Sequence, residues 1–160
     1  MWPWLAGLAL VILMAAKTAS ASSRLAPFEG DIVGSATLYN VPASWVRAVI
    51  MTESSGDPNA YRAEPQINDG SYGLMQLLLR TARGLGYAGT TAGLYDPATN
   101  IDLGTKLLRD LRRSYGTNFE RVYSAYNSGN PDRYRTSTQV AANVARAVTW
   151  LRRLDGMATV

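Results

Sequence analysis

The stretch AVIMTESSGDPNA, residues 48–60, ends an apolar helical run in an acid. Residues 43–55 have the spacing of one helix, and Val49 and Ile50 lie on its apolar side. Glu53 follows Ile50 by three residues and Val49 by four, so it falls on the same side. The fold must therefore accommodate a carboxyl group where an apolar stripe would otherwise continue.

Two effects are expected to raise the pKa of Glu53. Desolvation disfavours the carboxylate, and the last turn of a helix carries the negative end of the macrodipole. A carboxyl that stays protonated near neutral pH suits a glycosidase, which must protonate a leaving glycosidic oxygen. The alternative, from this segment alone, is a helix-end acid whose side chain simply reaches water.

The composition restricts the chemistry further. The 160 residues are 47% hydrophobic and 18% charged, which predicts one domain with its own core. Because the chain has no Cys and no His, Ser-His-Asp triads, Cys–His pairs and ordinary zinc sites are excluded. A carboxylate is then the leading acid–base candidate, and we predict no metal and no organic cofactor.

The net charge of +4 suits a polyanionic neighbour, although it would also serve solubility alone. Nucleic acid, anionic lipid and the anionic polymers of a bacterial wall all have that charge. We predict no nucleic-acid partner, because no basic stripe alternates with aromatic residues.

The N-terminus has the character of a leader. Residues 2–16, WPWLAGLALVILMAA, carry no charge, and this run is shorter than the roughly 20 apolar residues of a spanning helix. Ala19-Ser20-Ala21 has the small-x-small form of a cleavage site, but no Lys or Arg precedes the apolar run. We predict a signal peptide or an uncleaved membrane anchor over 1–23 and the working domain over 24–160. That domain would be exported, either periplasmic or attached to the outer face of the inner membrane.

Helical patterns dominate the remaining chain, and strand patterns are weak. Residues 56–73, rich in Gly, Pro, Asn and Asp, could carry a small hairpin. Asp96 and Pro97 are good first residues for a helix that stops at Gly116. Besides residues 43–55, we predict helices over 74–84, 96–115, 118–127 and 139–154. The prediction is a compact, mainly α single domain.

Two further segments have residues suited to a sugar site. DGSYGLMQLLLRTA, residues 69–82, contains Gly73, where the backbone could approach a ligand closely. YSAYNSGNP, residues 123–131, offers the Tyr126 hydroxyl and aromatic face and the Asn127 amide. Taken singly, the first could be a loop before a core helix, and the second a helix end with its tyrosine in the core.

Taken together, the segments form an ordered set. The chain contains, in order, VIMTESSGDPNA, SYGLMQ, TARGLG, LYDPATNIDLGTKLL and SAYNSG. This order resembles the soluble-type lytic transglycosylases, a family of the lysozyme-like α+β superfamily that shares its fold with goose-type lysozyme. The resemblance covers roughly residues 38–130.

The resemblance implies a substrate and a mechanism. The substrate would be peptidoglycan, cut between N-acetylmuramic acid and N-acetylglucosamine with formation of a 1,6-anhydro end. Glu53 would be the single catalytic acid and base, with the substrate's acetamido group assisting. Tyr126 would hydrogen-bond near Glu53 or the acetamido group, and Met75 would pack beneath the cleft. The substrate-binding residues implied are Ser54, Gly73, Met75, Gln76, Tyr126 and Asn127.

Two alternatives stay open. In goose-type lysozymes, acids in the loop before the Gly-Leu-Met-Gln segment position a water, and Glu64 and Asp69 lie there in this chain. Hydrolysis is therefore the second hypothesis, with Asp69 as the main candidate. The third hypothesis is a wall-binding module without activity.

The chain departs from the family pattern in two places. Arg80 stands where the family usually has Pro, and residues 135–148, RTSTQVAANVARAV, replace a Glu-Thr segment that ends in Tyr. The sequence is compatible with opening the wall for a secretion or conjugation machine, with phage lysis, or with wall trimming. A monomer is the default expectation for a cleft enzyme acting on a mesh.

Overall fold

The computed structural model describes residues 20–155, and the chain enters this range as helical residues 20–25. Short 3-10 turns cover Ala26–Phe28, Pro65–Ile67, Thr91–Tyr95 and Arg133–Arg135. The strands are β1 Tyr61–Glu64, β2 Asp69–Tyr72 and β3 Leu77–Leu78. The helices that follow are α1 Glu29–Tyr39, α2 Ala43–Glu53, α3 Leu79–Gly84, α4 Pro97–Tyr115, α5 Phe119–Ser128 and α6 Thr138–Asp155.

Helix α2 is the centre of the fold. Six of its eleven residues are buried, and it packs against α1 on one side and α6 on the other. Nearly the whole surface of such a helix is shielded from solvent, so its stability comes from packing rather than from intrinsic helix propensity. After Glu53 the chain turns away sharply, with Ser55 at φ 57° and Gly56 at φ 84°. The predicted helix over 43–55 is thus confirmed, ending at Glu53.

Helices α4 and α5 begin and end where their capping residues predict. The Asp96 carboxylate accepts a hydrogen bond from the Thr99 backbone N–H at 2.9 Å, Pro97 is the first helical residue, and Gly116 ends α4 at φ 87°. The Asn118 side chain caps α5 through the Arg121 N–H at 3.0 Å. These caps satisfy backbone groups that the helix cannot pair internally.

A three-stranded antiparallel sheet, in the order β1-β2-β3, packs beside the helices. In β1 and β2, Tyr61 is opposite Tyr72 and Arg62 is opposite Ser71. Strand β3 adds Leu77 opposite Tyr72. The hairpin predicted within residues 56–73 is therefore confirmed, and β3 extends it into a small sheet.

The helix predicted over 74–84 is wrong in its first half. Residues 74–76 form a turn, 77–78 form β3, and only Leu79–Gly84 is helical. Gly73 at φ 72° and Gln76 at φ 48° hold the backbone in left-handed conformations that a right-handed helix cannot contain. The apolar run of this segment is buried by the turn and strand instead.

The N-terminal part of the described chain was only partly foreseen. Helix α1 was not predicted, because Ile32 and Ala36 are its only buried residues and the sequence period is correspondingly weak. Ala21 is already buried in the core, so packing begins before the predicted domain start at residue 24. The predicted leader lies mostly outside the described residues. Within residues 20–155, no helix is both long and apolar enough to cross a bilayer.

The mainly α fold with a small sheet is confirmed. Helix α4 packs on α1 and α5, and α5 also packs on α6. One continuous set of buried side chains joins these helices to Leu74, Met75 and Leu77 of the sheet region. The sheet and the helices therefore share one core, and the space between them is where the site lies.

Candidate active site

An open cleft of about 920 Å³ runs between the sheet and the helical part of the molecule. The sheet side contributes polar and charged side chains from β1 and β2, and α4 contributes Leu107 and Leu111. Its lining residues are Glu53, Arg62, Glu64, Gln66, Ile67, Ser71, Gln76, Leu78, Arg80, Thr81, Leu107, Leu111, Ala125, Tyr126, Asn127, Ser128, Gly129 and Arg133. A polar wall facing apolar side chains suits a sugar ring, which has polar edges and apolar faces.

Glu53 reaches this cleft from the last residue of α2. Its Oε1 accepts a hydrogen bond of 2.6 Å from the Tyr123 hydroxyl. Burial raises the pKa of Glu53, whereas the Tyr123 hydrogen bond and the nearby Arg62 and Arg146 charges act in the opposite direction. Burial is the largest of these effects, so the carboxyl is biased toward the protonated form, as the sequence predicted.

Tyr123 is the part of the site that the sequence analysis missed. Its side chain is only 1% exposed, and burial and the neighbouring Glu53 raise its pKa, so the hydroxyl stays protonated and can donate. Its ring stacks between Phe119, at a centroid distance of 5.9 Å, and Tyr126, at 6.2 Å. An available signal was its position on α5, three residues before Tyr126 and on the same face.

Tyr126 lines the cleft but does not hydrogen-bond Glu53. Its hydroxyl donates to the Met75 carbonyl at 2.7 Å, so it holds the Gly-Leu-Met-Gln turn in place. The sequence expectation of a bond near Glu53 is met by Tyr123 instead. Asn127 also lines the cleft, and its Oδ1 accepts from the Asn143 amide on α6 at 3.2 Å.

Asn100 fixes the turn that precedes β3. Its Oδ1 accepts from the Met75 N–H at 2.7 Å, while its Nδ2 donates to the Leu94 carbonyl at 2.7 Å and the Tyr72 carbonyl at 2.9 Å. Asn100 is fully buried, so all three bonds lie in a region where an unpaired polar group would be costly. This explains why an amide stands among the buried residues in the first turn of α4.

Gly73 is required by this packing rather than by a ligand. A Cβ there would lie 2.5 Å from the Leu94 carbonyl oxygen and 2.6 Å from Asn100 Nδ2. The residue lies outside the cleft lining, and so does Met75, which is fully buried beneath it. Gln76 does line the cleft, and its Nε2 donates to the Ala60 and Gly73 carbonyls at 3.0 Å each.

Ser54 has a local structural role. Its hydroxyl donates to the Ile50 carbonyl at 3.1 Å and accepts from the Gly56 N–H at 3.2 Å. These contacts close the C-terminus of α2 directly after Glu53, and Ser54 is not part of the cleft lining. The structure therefore places this predicted substrate-binding residue beside the site, where it shapes the turn.

Of the two acids suspected for hydrolysis, the structure brings only Glu64 into the cleft. Its carboxylate accepts from Arg62 Nε at 2.7 Å, Gln66 Nε2 at 3.2 Å and the Ser71 hydroxyl at 3.3 Å. Asp69 lines a different surface hollow and accepts from the Gly70 N–H at 2.7 Å. The earlier preference for Asp69 over Glu64 is thus not supported by the geometry.

A carboxyl at the end of a buried helix, facing a cleft beside a small sheet, is the arrangement of a lysozyme-like fold. The chain belongs to the transglycosylase SLT domain family, whose model matches residues 32–149. It is 36% identical over 100 residues to a transglycosylase of Enterobacteria phage PRD1, covering 62% of this chain and 34% of the relative. It is 33% identical over 128 residues to membrane-bound lytic murein transglycosylase C of Shigella sonnei, covering 69% of this chain and 34% of the relative.

The fold is also similar to that of a solved structure. The 70-kDa soluble lytic transglycosylase of Escherichia coli superposes with a TM-score of 0.64 at 24% identity, covering 74% of this chain and 22% of that one. The similarity confirms the predicted lysozyme-like fold. The chain spans about a third of the length of the curated relatives it matches.

Proposed function

We propose that this chain is a peptidoglycan-cleaving lytic transglycosylase in which Glu53 is the single catalytic acid and base. The observation that carries the proposal is the Glu53 carboxyl, which lines the open cleft of about 920 Å³, has a raised pKa through burial, and accepts a hydrogen bond from Tyr123. Family membership and the two transglycosylase relatives support the same reaction class.

The reaction proceeds in two steps on this site. Protonated Glu53 gives its proton to the glycosidic oxygen, and the C1–O bond of N-acetylmuramic acid breaks as the acetamido oxygen of that sugar attacks C1. Glu53, now a carboxylate, takes the proton of the O6 hydroxyl. O6 then attacks C1, displaces the acetamido oxygen and closes a 1,6-anhydro ring, so no water is consumed and Glu53 is again protonated.

Tyr123 fits both steps. Its hydroxyl donates to Oε1, which leaves Oε2 of Glu53 to exchange the proton with substrate. The same hydrogen bond stabilises the carboxylate that exists between the two steps. A preorganised donor of this kind requires no rearrangement when the charge develops.

Hydrolysis is the second candidate, because Glu64 supplies another carboxylate to the cleft. A two-carboxylate route would use Glu64 to activate a water. Three protein donors, Arg62 Nε, Gln66 Nε2 and the Ser71 hydroxyl, already occupy this carboxylate. The arrangement of Glu64 therefore supports a structural role in the hairpin.

The test is mass spectrometry of the products released from isolated sacculi by the full chain and by its Glu53→Gln and Glu64→Gln variants. We expect anhydro-muramyl ends, lost in Glu53→Gln and retained in Glu64→Gln. Reducing ends that disappear with Glu64→Gln would establish hydrolysis instead. Sacculus binding without soluble products would indicate a wall-binding module.

The proposal also places the domain outside the cytoplasm, where peptidoglycan lies. Support comes from the relative named as membrane-bound and from the apolar run in residues 2–16. The phage relative is compatible with a lysis role, while opening the wall for a secretion or conjugation machine remains part of the hypothesis. We propose that the domain acts as a monomer.

A further inference from the structure

The charges that line the cleft do not balance. The ionisable acids and bases there are Glu53, Arg62, Glu64, Arg80 and Arg133. Arg62 and Glu64 neutralise each other through an ion pair of 2.7 Å, and burial biases Glu53 toward its neutral form. The two remaining guanidinium groups, on Arg80 and Arg133, therefore give the cleft a positive charge that no acid in its wall compensates.

Neither guanidinium is engaged by the protein. Both residues are exposed, and neither side chain makes an ion pair or a hydrogen bond with any residue between 20 and 155. The acid nearest to Arg133 in sequence, Asp132, is already shared by Arg121 at 3.2 Å and Arg135 at 3.6 Å. At Arg80 only the backbone N–H has a partner, the Asp69 carboxylate at 3.4 Å.

The two arginines come from different elements. Arg80 lies in the first turn of α3, next to β3, and Arg133 begins the 3-10 turn that follows α5. Arg80 stands where the family usually has Pro, and Arg133 lies two residues before the divergent stretch that starts at residue 135. Both therefore lie outside the five ordered segments that carry the family resemblance.

We infer that Arg80 and Arg133 bind carboxylates of the stem peptides on the glycan strand, so that the enzyme prefers peptide-bearing strands to bare ones. This inference rests on the proposed function. The sugar backbone of peptidoglycan carries no charge of its own once the muramic acid carboxyl is in amide linkage, so the anions in this substrate belong to its peptides. A guanidinium in a cleft recognises a carboxylate through paired, charge-assisted hydrogen bonds.

The experiment compares two substrates prepared from the same glycan strands. One keeps its stem peptides. The other has lost them to an amidase, and the muramic acid carboxyls freed by that step are then converted to methylamides, so that the bare strands carry no anion. The quantity measured is the ratio of kcat/KM on peptide-bearing strands to kcat/KM on bare strands, for the full chain and for Arg80→Gln, Arg133→Gln and Arg113→Gln. Arg113→Gln is the matched control. Arg113 is an exposed arginine outside the cleft lining, and its substitution removes the same charge as the two cleft substitutions.

We expect the wild-type ratio to exceed one, and each cleft variant to lower it by about 3- to 10-fold, the range for one partly exposed charge-assisted contact. Arg113→Gln should leave it unchanged. The preference should also shrink at 0.5 M salt, where charges are screened over a few ångströms. Equal losses on both substrates, or equal ratios in all four proteins, would overturn the inference.

Failure of the proposed function gives a different result. If the wild-type chain cleaves neither substrate, the reaction assignment is wrong, while binding of the chain to the same two strand preparations, immobilised on a surface, still tests the arginines. Binding that depends on Arg80 and Arg133 only when peptides are present supports recognition of the stem. Binding that is unchanged by the arginine substitutions, or that is equal with and without the peptides, contradicts recognition of the stem.

Discussion

Tyr123→Phe tests whether this tyrosine orients and tunes the carboxyl of Glu53, the proposed catalytic acid. The substitution removes one hydroxyl group and keeps the ring, which is 1% exposed and stacked between two other aromatic rings. Packing is therefore preserved, and the change acts on the 2.6 Å hydrogen bond to Glu53 Oε1 alone.

The magnitude follows from that bond. A hydrogen bond to a charged group contributes about 1.5–3 kcal/mol, and every 1.4 kcal/mol corresponds to tenfold in rate. If the bond stabilises the Glu53 carboxylate that forms after proton transfer, kcat/KM should fall roughly tenfold to a hundredfold. Because the hydroxyl also lowers the pKa of Glu53, its loss should raise that pKa and move the alkaline limb of the pH–rate profile to higher pH.

The assay is the initial rate of soluble muropeptide release from purified sacculi, measured across pH. Tyr39→Phe is a matched control. It also removes a hydrogen bond between a tyrosine and a carboxylate, the 2.9 Å bond from Tyr39 to Asp102, and neither of these residues lines the cleft. We expect that variant to keep wild-type rates and the wild-type pH profile. Loss of activity in Tyr123→Phe without a shift of the alkaline limb would refute the tuning role, and unchanged activity would refute the orienting role.

Two further predictions concern stability. The raised pKa of Glu53 means that the folded state binds its proton more tightly than the unfolded state, so wild-type stability falls as pH rises above the ordinary value of 4.5. Glu53→Gln should therefore have a higher Tm than wild type at pH 7 and little advantage at pH 4; an advantage independent of pH would contradict the buried-acid explanation. Gly73→Ala combines a left-handed φ of 72° with a Cβ only 2.5 Å from the Leu94 carbonyl oxygen, which predicts a loss of about 2–4 kcal/mol in urea unfolding. A loss below about 1 kcal/mol would show that the turn relaxes and that Asn100 does not hold it rigidly.

The sequence predicted those features of the site that depend on residues close together in the chain. The three- and four-residue spacings from Ile50 and Val49 put Glu53 on the buried side of α2, and the structure confirms a raised pKa through burial. Capping residues located the ends of α4 for a similar reason, because a cap interacts with backbone groups only a few residues away.

The remaining assignments depended on contacts distant in sequence. Seventy residues separate Glu53 from its hydrogen-bond donor Tyr123, and nothing in the local pattern distinguishes that tyrosine from Tyr126. Residues 74–76 were predicted as the start of a helix, but they form a turn whose Met75 N–H is held by Asn100, 25 residues further along the chain. Local propensity contains no information about such partners.

The sequence by itself determined the mainly helical class, the presence of a small hairpin and the position of Glu53 on the buried side of its helix, since each depends on residue type and short-range spacing. Only the tertiary structure decided which tyrosine binds Glu53, that Glu64 rather than Asp69 faces the cleft, and that Arg80 and Arg133 line the same cleft. Those outcomes depend on how α3, α5 and the sheet pack around α2. Packing of that kind is set by the sum of many buried contacts, which no single segment of the sequence contains.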